Sequence, residues 1–154
     1  MTTGLLTMRR AVPADWTDYN GHMNEARYLQ AFSDASDRLM EAVGIDAAYI
    51  AAGQSCFTVE THIRHLGEAS AGDEITITTR ILEAQGKRLH LWHEIYVADH
   101  LIATGEQMLI HVDLASRRAC APSDDVAQRL GDLAARHGVL PMPDGIGRAV
   151  GQRP

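Results

Sequence analysis

The sequence predicts an α+β fold in which one long central helix is wrapped by a curved antiparallel sheet of five to six strands. Two observations carry this. From Asn24 to Gly44 apolar side chains recur every three or four residues, and after Gly53 the period drops to two and holds through four consecutive segments. The segments are joined by short turns, so a meander is the expected pairing. A helix with one apolar stripe and a sheet with one apolar face bury both by packing together.

The elements follow in chain order. "TMRRAVPADW" reads as an early strand, with Pro13 marking its end or an edge. "NEARYLQAFSDASDRLMEAVG" is the principal helix. Tyr28, Phe32, Ala35, Leu39 and Val43 form its stripe, with Leu29, Ser36 and Met40 beside them. Asn24 is the expected N-cap, Glu25 suits the positive end of the helix dipole, and Gly44 is the expected stop. "DAAYIAAG" reads as a short second helix. In "QSCFTVETHIRHL", Ser55, Phe57, Val59, Thr61 and Ile63 point one way and Cys56, Thr58, Glu60, His62 and Arg64 the other. "GDEITITTRILEA", with Ile75, Ile77 and Ile81 on one face, "GKRLHLWHEIYVA" and "LIATGEQMLIHVDL" continue the pattern. "SDDVAQRLGDLAARHG" is a further amphipathic helix, with Ser123 as cap and Gly138 as stop. Residues 1–120 are expected to form the domain, and 121–154 a C-terminal helix and extension packed on it. The open sheet edge favours a homodimer, or a dimer of dimers, that continues the sheet.

Composition narrows the function classes. The chain is 45% hydrophobic and 22% charged with a net charge of −6, which argues against a nucleic-acid surface. No apolar run approaches the roughly 18–20 residues of a membrane span, and the N-terminal basic pair follows the apolar stretch, the wrong order for a secretory signal. Two cysteines, Cys56 and Cys120, make no disulfide framework, so a cytoplasmic protein is expected. His62/His65 and His90/His93 are three apart. On a strand such pairs face opposite sides, so no metal site is expected. No G-x-S-x-G elbow or Gly-rich phosphate loop is present, and no cofactor is implied.

The stretch "DYNGHMNEARYL" concentrates the chemistry. Asp18 precedes the expected cap, Asn24, by six residues, and a glycine-containing turn lies between. A helix start offers free backbone N–H groups and partial positive charge. The turn lets Asp18 fold back toward the N–H groups around Asn24 and Glu25. A carboxylate beside such donors suits attack on a carbonyl and stabilisation of the oxyanion that results. The residues alone also allow Asp18 to be a turn or capping acid.

Over roughly residues 8 to 115 the chain resembles hot-dog-fold acyl-CoA thioesterases of the 4-hydroxybenzoyl-CoA type. Asp18, "YNGHMN", the helix carrying Tyr28, and the Gly72–Asp73 strand opening carry the likeness. "DYNGHMNEARYL", "FTVETHIRHL" and "KRLHLWHE" are similar to the branch associated with carnitine breakdown, which hydrolyses betainyl-CoA. The resemblance implies an acyl-CoA substrate and Asp18 as general base or nucleophile. It also implies that the helix start, with Glu25 and Tyr28, forms the oxyanion and substrate site.

Other candidates keep two readings. His22 can orient substrate or share proton work, or be a turn histidine. Asn24 is a cap that also fixes the oxyanion donors. Glu60 is a second acid facing a cationic acyl group, or an ion-pair partner of Arg64. Arg64 and His65 suit a CoA phosphate or a solvated face. A trimethylammonium group calls for aromatic faces and an acid, for which Trp16, Tyr19 or Trp92 with Glu60 are candidates among eight aromatics. Two alternative classes are a hot-dog hydratase or dehydratase and a non-catalytic acyl-CoA-binding protein. The former expects D-x-N-P-x-H, from which D-Y-N-G-H departs.

Overall fold

The computed structural model describes residues 4–152. In chain order the elements are β1 (Leu5–Ala11), a 3-10 turn (Ala14–Trp16), α1 (Glu25–Ala42), α2 (Ala47–Ala51), β2 (Gln54–His65), β3 (Glu74–Gln85), β4 (Arg88–Val97), β5 (His100–Asp113), β6 (Arg118–Ala119) and α3 (Asp124–Gly138). The strands form one antiparallel sheet in the order β1-β3-β4-β5-β2, with β6 as a short addition to β5. The sheet wraps α1, as the helix-then-strands order predicts.

The helix starts where its cap chemistry dictates. Asn24 Oδ1 accepts the Ala26 N–H at 2.9 Å, and Gly44, at φ +93°, ends the run in a left-handed turn. Tyr28, Ala31, Phe32, Ala35, Ser36, Leu39 and Met40 are buried, while Leu29 is exposed. The first half of α1 packs against Ile75, Ile77, Ile95 and Ala103; the second half meets Ile81, Leu91, Leu109 and, from α3, Val126, Leu130 and Leu133. Gly105 sets how closely α1 lies on the sheet, because a Cβ there would come within 2.8 Å of the Phe32 ring.

Strict alternation along β2 does not hold. Val59 is a bulge residue between Thr58 and Glu60, and one extra residue switches the faces on either side of it. Cys56 therefore packs on the core beside α1, as Ile63 does further along, while Phe57 is 45% exposed and Val59 60% exposed. The expected grouping of Phe57 and Val59 with Ile63 is thus corrected. Gly138 also differs from expectation: it is the last residue of α3, and the helix is capped by Val139 in an αR conformation.

The extension after α3 crosses the outer face of the sheet, the face away from α1. Arg80 of β3 donates to Pro141 O at 2.8 Å and Leu140 O at 3.4 Å, and also to His137 O at 3.3 Å. A guanidinium thus sits on the negative end of α3. Further on, Arg64 of β2 reaches Asp144 O at 3.5 Å, and the Gly147 N–H donates to Glu106 of β5 at 2.8 Å.

Candidate active site

The loop before α1 is a tight, closed turn. Thr17 and Met23 form an isolated antiparallel bridge. The Asp18 N–H donates to His22 O at 3.0 Å and the Gly21 N–H to Asp18 O at 2.9 Å, with Gly21 at φ +78° where glycine costs least. Asp18 Oδ1 accepts the Asn20 N–H at 2.8 Å, an Asx turn that fixes the half-buried carboxylate in one direction. The turn is tied back to its surroundings by Asn24 N–H to Trp16 O at 2.8 Å and Met23 N–H to Ala69 O at 2.7 Å.

The first-turn donors of α1 can be assigned one by one. The Ala26 N–H goes to the Asn24 side chain and the Arg27 N–H to Asn24 O at 2.9 Å. Among the described residues the Glu25 N–H has no partner, so a directed donor is left at the helix start. The Asp18 turn and this donor lie beside the loop that follows β2. His22 Nε2 is 3.0 Å from Glu68, and the Tyr28 ring meets His65 edge-on at 4.8 Å. Burial, then the charge of Glu68, raises the Tyr28 hydroxyl pKa above its ordinary value, so Tyr28 stays neutral at this position.

The other sequence candidates separate. Trp16 is buried, and its ring is covered by the Arg10 guanidinium at 4.1 Å, with that of Arg27 at 5.6 Å, so cations of the chain itself already occupy it. Tyr19 is 98% exposed. Trp92 lies on the outer face with Glu94. Glu60 lies on that same face in a 260 Å³ cavity with His62, His90 and Glu106. Neither Trp16, Tyr19 nor Trp92 lines the cavity that holds Glu60, so the expected cage is not assembled there. Nor is Glu60 paired with Arg64; Arg64 instead contacts the extension at Asp144 O. Among the described residues no group of three or more His, Cys, Asp or Glu is placed to hold a metal ion.

Two clusters had not been singled out as sites. The first is a buried polar network under α1. His93 Nδ1 is 2.8 Å from Thr79 Oγ1, and Gln107 Oε1 is 3.0 Å from His93 Nε2 and 2.6 Å from Ser36 Oγ. Burial pushes the His93 pKa down to about 4, against the opposing effect of the Gln107 hydrogen bond. Its signal was present: His93 interrupts the apolar face formed by Leu89, Leu91 and Ile95. The second is Glu94, which accepts from Trp92 Nε1 at 3.1 Å and from the Tyr96 hydroxyl at 2.8 Å. Burial pushes the Cys56 thiol up to about 12, which favours its protonated form.

The model of the thioesterase-like superfamily matches residues 12–130. The chain belongs to that superfamily. The match spans the Asp18 turn, all of α1 and the four long strands. A betainyl-CoA thioesterase of Pseudomonas aeruginosa is 39% identical, the alignment covering 100% of this chain and 99% of that protein. The L-carnitine dehydrogenase/betainyl-CoA thioesterase of Ruegeria pomeroyi is 53% identical over 97% of this chain, which spans only 31% of that relative's length. Among solved structures, a hypothetical protein from Staphylococcus aureus in complex with CoA superposes with a TM-score of 0.90 at 26% identity, covering 99% of both chains. The superfamily fold is the hot-dog arrangement of a long helix in a curled antiparallel sheet, as found here. No helix among the described residues is long and apolar enough to cross a membrane.

Proposed function

We propose that the chain is an acyl-CoA thioesterase whose substrate is betainyl-CoA, the thioester of a trimethylammonium acid. The observation that carries this is the match, across almost the whole of both chains, to a protein named for that activity. In this reading Asp18 acts on the thioester carbonyl, either through a water it deprotonates or by direct attack. The Glu25 N–H meets the oxyanion as it forms. Asn24 holds that donor in place by capping the helix. His22, paired with Glu68, orients the turn.

The working form is a homodimer or a dimer of dimers. Strand β2 is a sheet edge with Phe57 and Val59 exposed, and the loop leaving it contacts the Asp18 turn. A second copy along β2 would supply a wall beside the Asp18 turn. The expected compartment is the cytoplasm.

The test is release of free thiol from a panel of acyl-CoA substrates, with betainyl-CoA set against a neutral acyl-CoA of similar size. Faster turnover of the cationic substrate supports the assignment. Equal rates would remove the specificity, and absence of CoA release from every member would remove the activity.

A further inference from the structure

On the outer face of the sheet lies a 570 Å³ cavity, within the range of small-molecule sites, closed on one side by residues 140–144 of the extension. Its floor is the run Trp92, Glu94 and Tyr96, alternate residues of β4 that share one face. The Trp92 indole N–H and the Tyr96 hydroxyl both donate to the Glu94 carboxylate, which fixes an anion between two aromatic rings. Fixed negative charge among aromatic side chains is the chemistry that attracts an alkylated ammonium, most strongly where water is scarce.

The opposite wall carries the other sign. Arg64 of β2 pairs in register with Thr104 of β5, and Thr104 pairs with Glu94 of β4. Glu94 and Arg64 thus stand in one row across three strands, roughly 9–10 Å apart at their Cα atoms. Thr104 lies between them, and all three line the cavity. Arg80 also lines it, but its guanidinium is engaged by three carbonyls at the end of α3. Among the described residues Arg64 makes one hydrogen bond, the 3.5 Å contact to Asp144 O, which leaves donors for an anion.

We infer that this cavity is a binding site for a small zwitterion, an alkylated ammonium seated on Trp92, Glu94 and Tyr96 with its carboxylate on Arg64, separate from the Asp18 turn. The free acid released from a betainyl thioester is such a molecule, whereas the thioester has no carboxylate to offer Arg64. The site therefore favours product over substrate, a consequence that rests on the betainyl-CoA reading although the site itself does not.

Titration calorimetry on the full chain tests it with three probes: glycine betaine, tetramethylammonium and acetate. Glycine betaine is expected to bind saturably, at least about tenfold more tightly than tetramethylammonium, with acetate silent. Glu94→Gln, which keeps an acceptor for Trp92 and Tyr96, is expected to weaken betaine about tenfold or more. Arg64→Gln is expected to erase the advantage of betaine over tetramethylammonium, and Asp18→Asn to leave binding unchanged. No saturable betaine binding up to about 100 mM would overturn the site. Equal affinity for betaine and tetramethylammonium would overturn the zwitterion. Loss of binding in Asp18→Asn, with Glu94→Gln unaffected, would move the ligand to the thioester site. Thiol release from betainyl-CoA, measured separately, reports on the proposed function alone.

Discussion

Two polar regions flank the same helix and are built in opposite ways. At the start of α1, Asp18 is half-buried, its carboxylate is turned in one direction by a single backbone bond, and the Glu25 N–H is left without a partner among the described residues. Under the middle of α1, His93 is fully buried and both ring nitrogens are engaged, by Thr79 on one side and by Gln107 with Ser36 on the other. Spare hydrogen-bonding capacity at the first site is what a reacting group can use. Closure at the second leaves nothing for a ligand, and any unpaired atom there would carry its full desolvation cost. The first region is therefore the place to look for chemistry, and the second for stability and a fixed seating of helix on sheet.

The largest effect that separates them is on turnover. Asp18→Asn keeps the size of the side chain and an oxygen for the Asn20 N–H, but removes the base or nucleophile. Thiol release is expected to fall about a thousandfold, while the melting temperature holds. Retained activity would end the catalytic reading of this turn. A collapsed melting temperature would make Asp18 a structural acid.

The second region answers to pH instead. His93 has a folded-state pKa of about 4 against an ordinary 6.5, because burial disfavours the charged ring. As pH falls below 6.5 the unfolded chain takes up the proton first, so the stabilisation is whole above that value and is lost progressively down to pH 4. The loss is on the order of 3 kcal/mol in all. His111 and His137 are also lowered, chiefly by burial, and act in the same direction. Denaturant melts across this window should show the slope, and His93→Gln should flatten it. A slope unchanged in that variant would assign the effect elsewhere.

A smaller perturbation reaches the network through the helix seat. Gly105→Ala puts a methyl group 2.8 Å from the Phe32 ring, one turn before Ser36. A cost of about 1–3 kcal/mol is expected, with recovery when Phe32→Leu is added. Additive losses in the double variant would show that the two residues do not set the spacing.

What was legible in the chain follows from how local each signal is. The helix from Glu25 to Ala42 and the four long strands rest on periodicity and caps within single segments, and they stand close to where the pattern puts them. The Asp18 turn was readable for the same reason, since "DYNGHMN" holds the turn glycine, the acid and the cap together. The bulge at Val59 was not readable, because no residue type in the segment marks it, while the one unpaired residue reverses the faces on either side. Trp16 looked available as an aromatic wall until β1 brought Arg10 onto it. The outer cavity was hidden more deeply. One of its walls is "LPMPD", a stretch without periodicity whose position depends on Arg80 and Arg64 from two distant strands.

The smallest expected effect bears most directly on how the open region works, because Asn24 belongs to both stability and chemistry. Its side chain takes the Ala26 N–H at 2.9 Å, and its own N–H holds Trp16 O, so it positions the turn and the adjacent Glu25 donor together. Asn24→Ala removes the cap and should cost about 1 kcal/mol in stability, with a severalfold fall in turnover. Asn24→Asp separates the two roles. A carboxylate caps equally well and suits the positive helix end, so the melting temperature should return. The added negative charge would stand beside the place where the oxyanion forms, so turnover should stay low. If turnover recovers together with stability in Asn24→Asp, the cap acts only by holding the helix, and the oxyanion must be met by other donors.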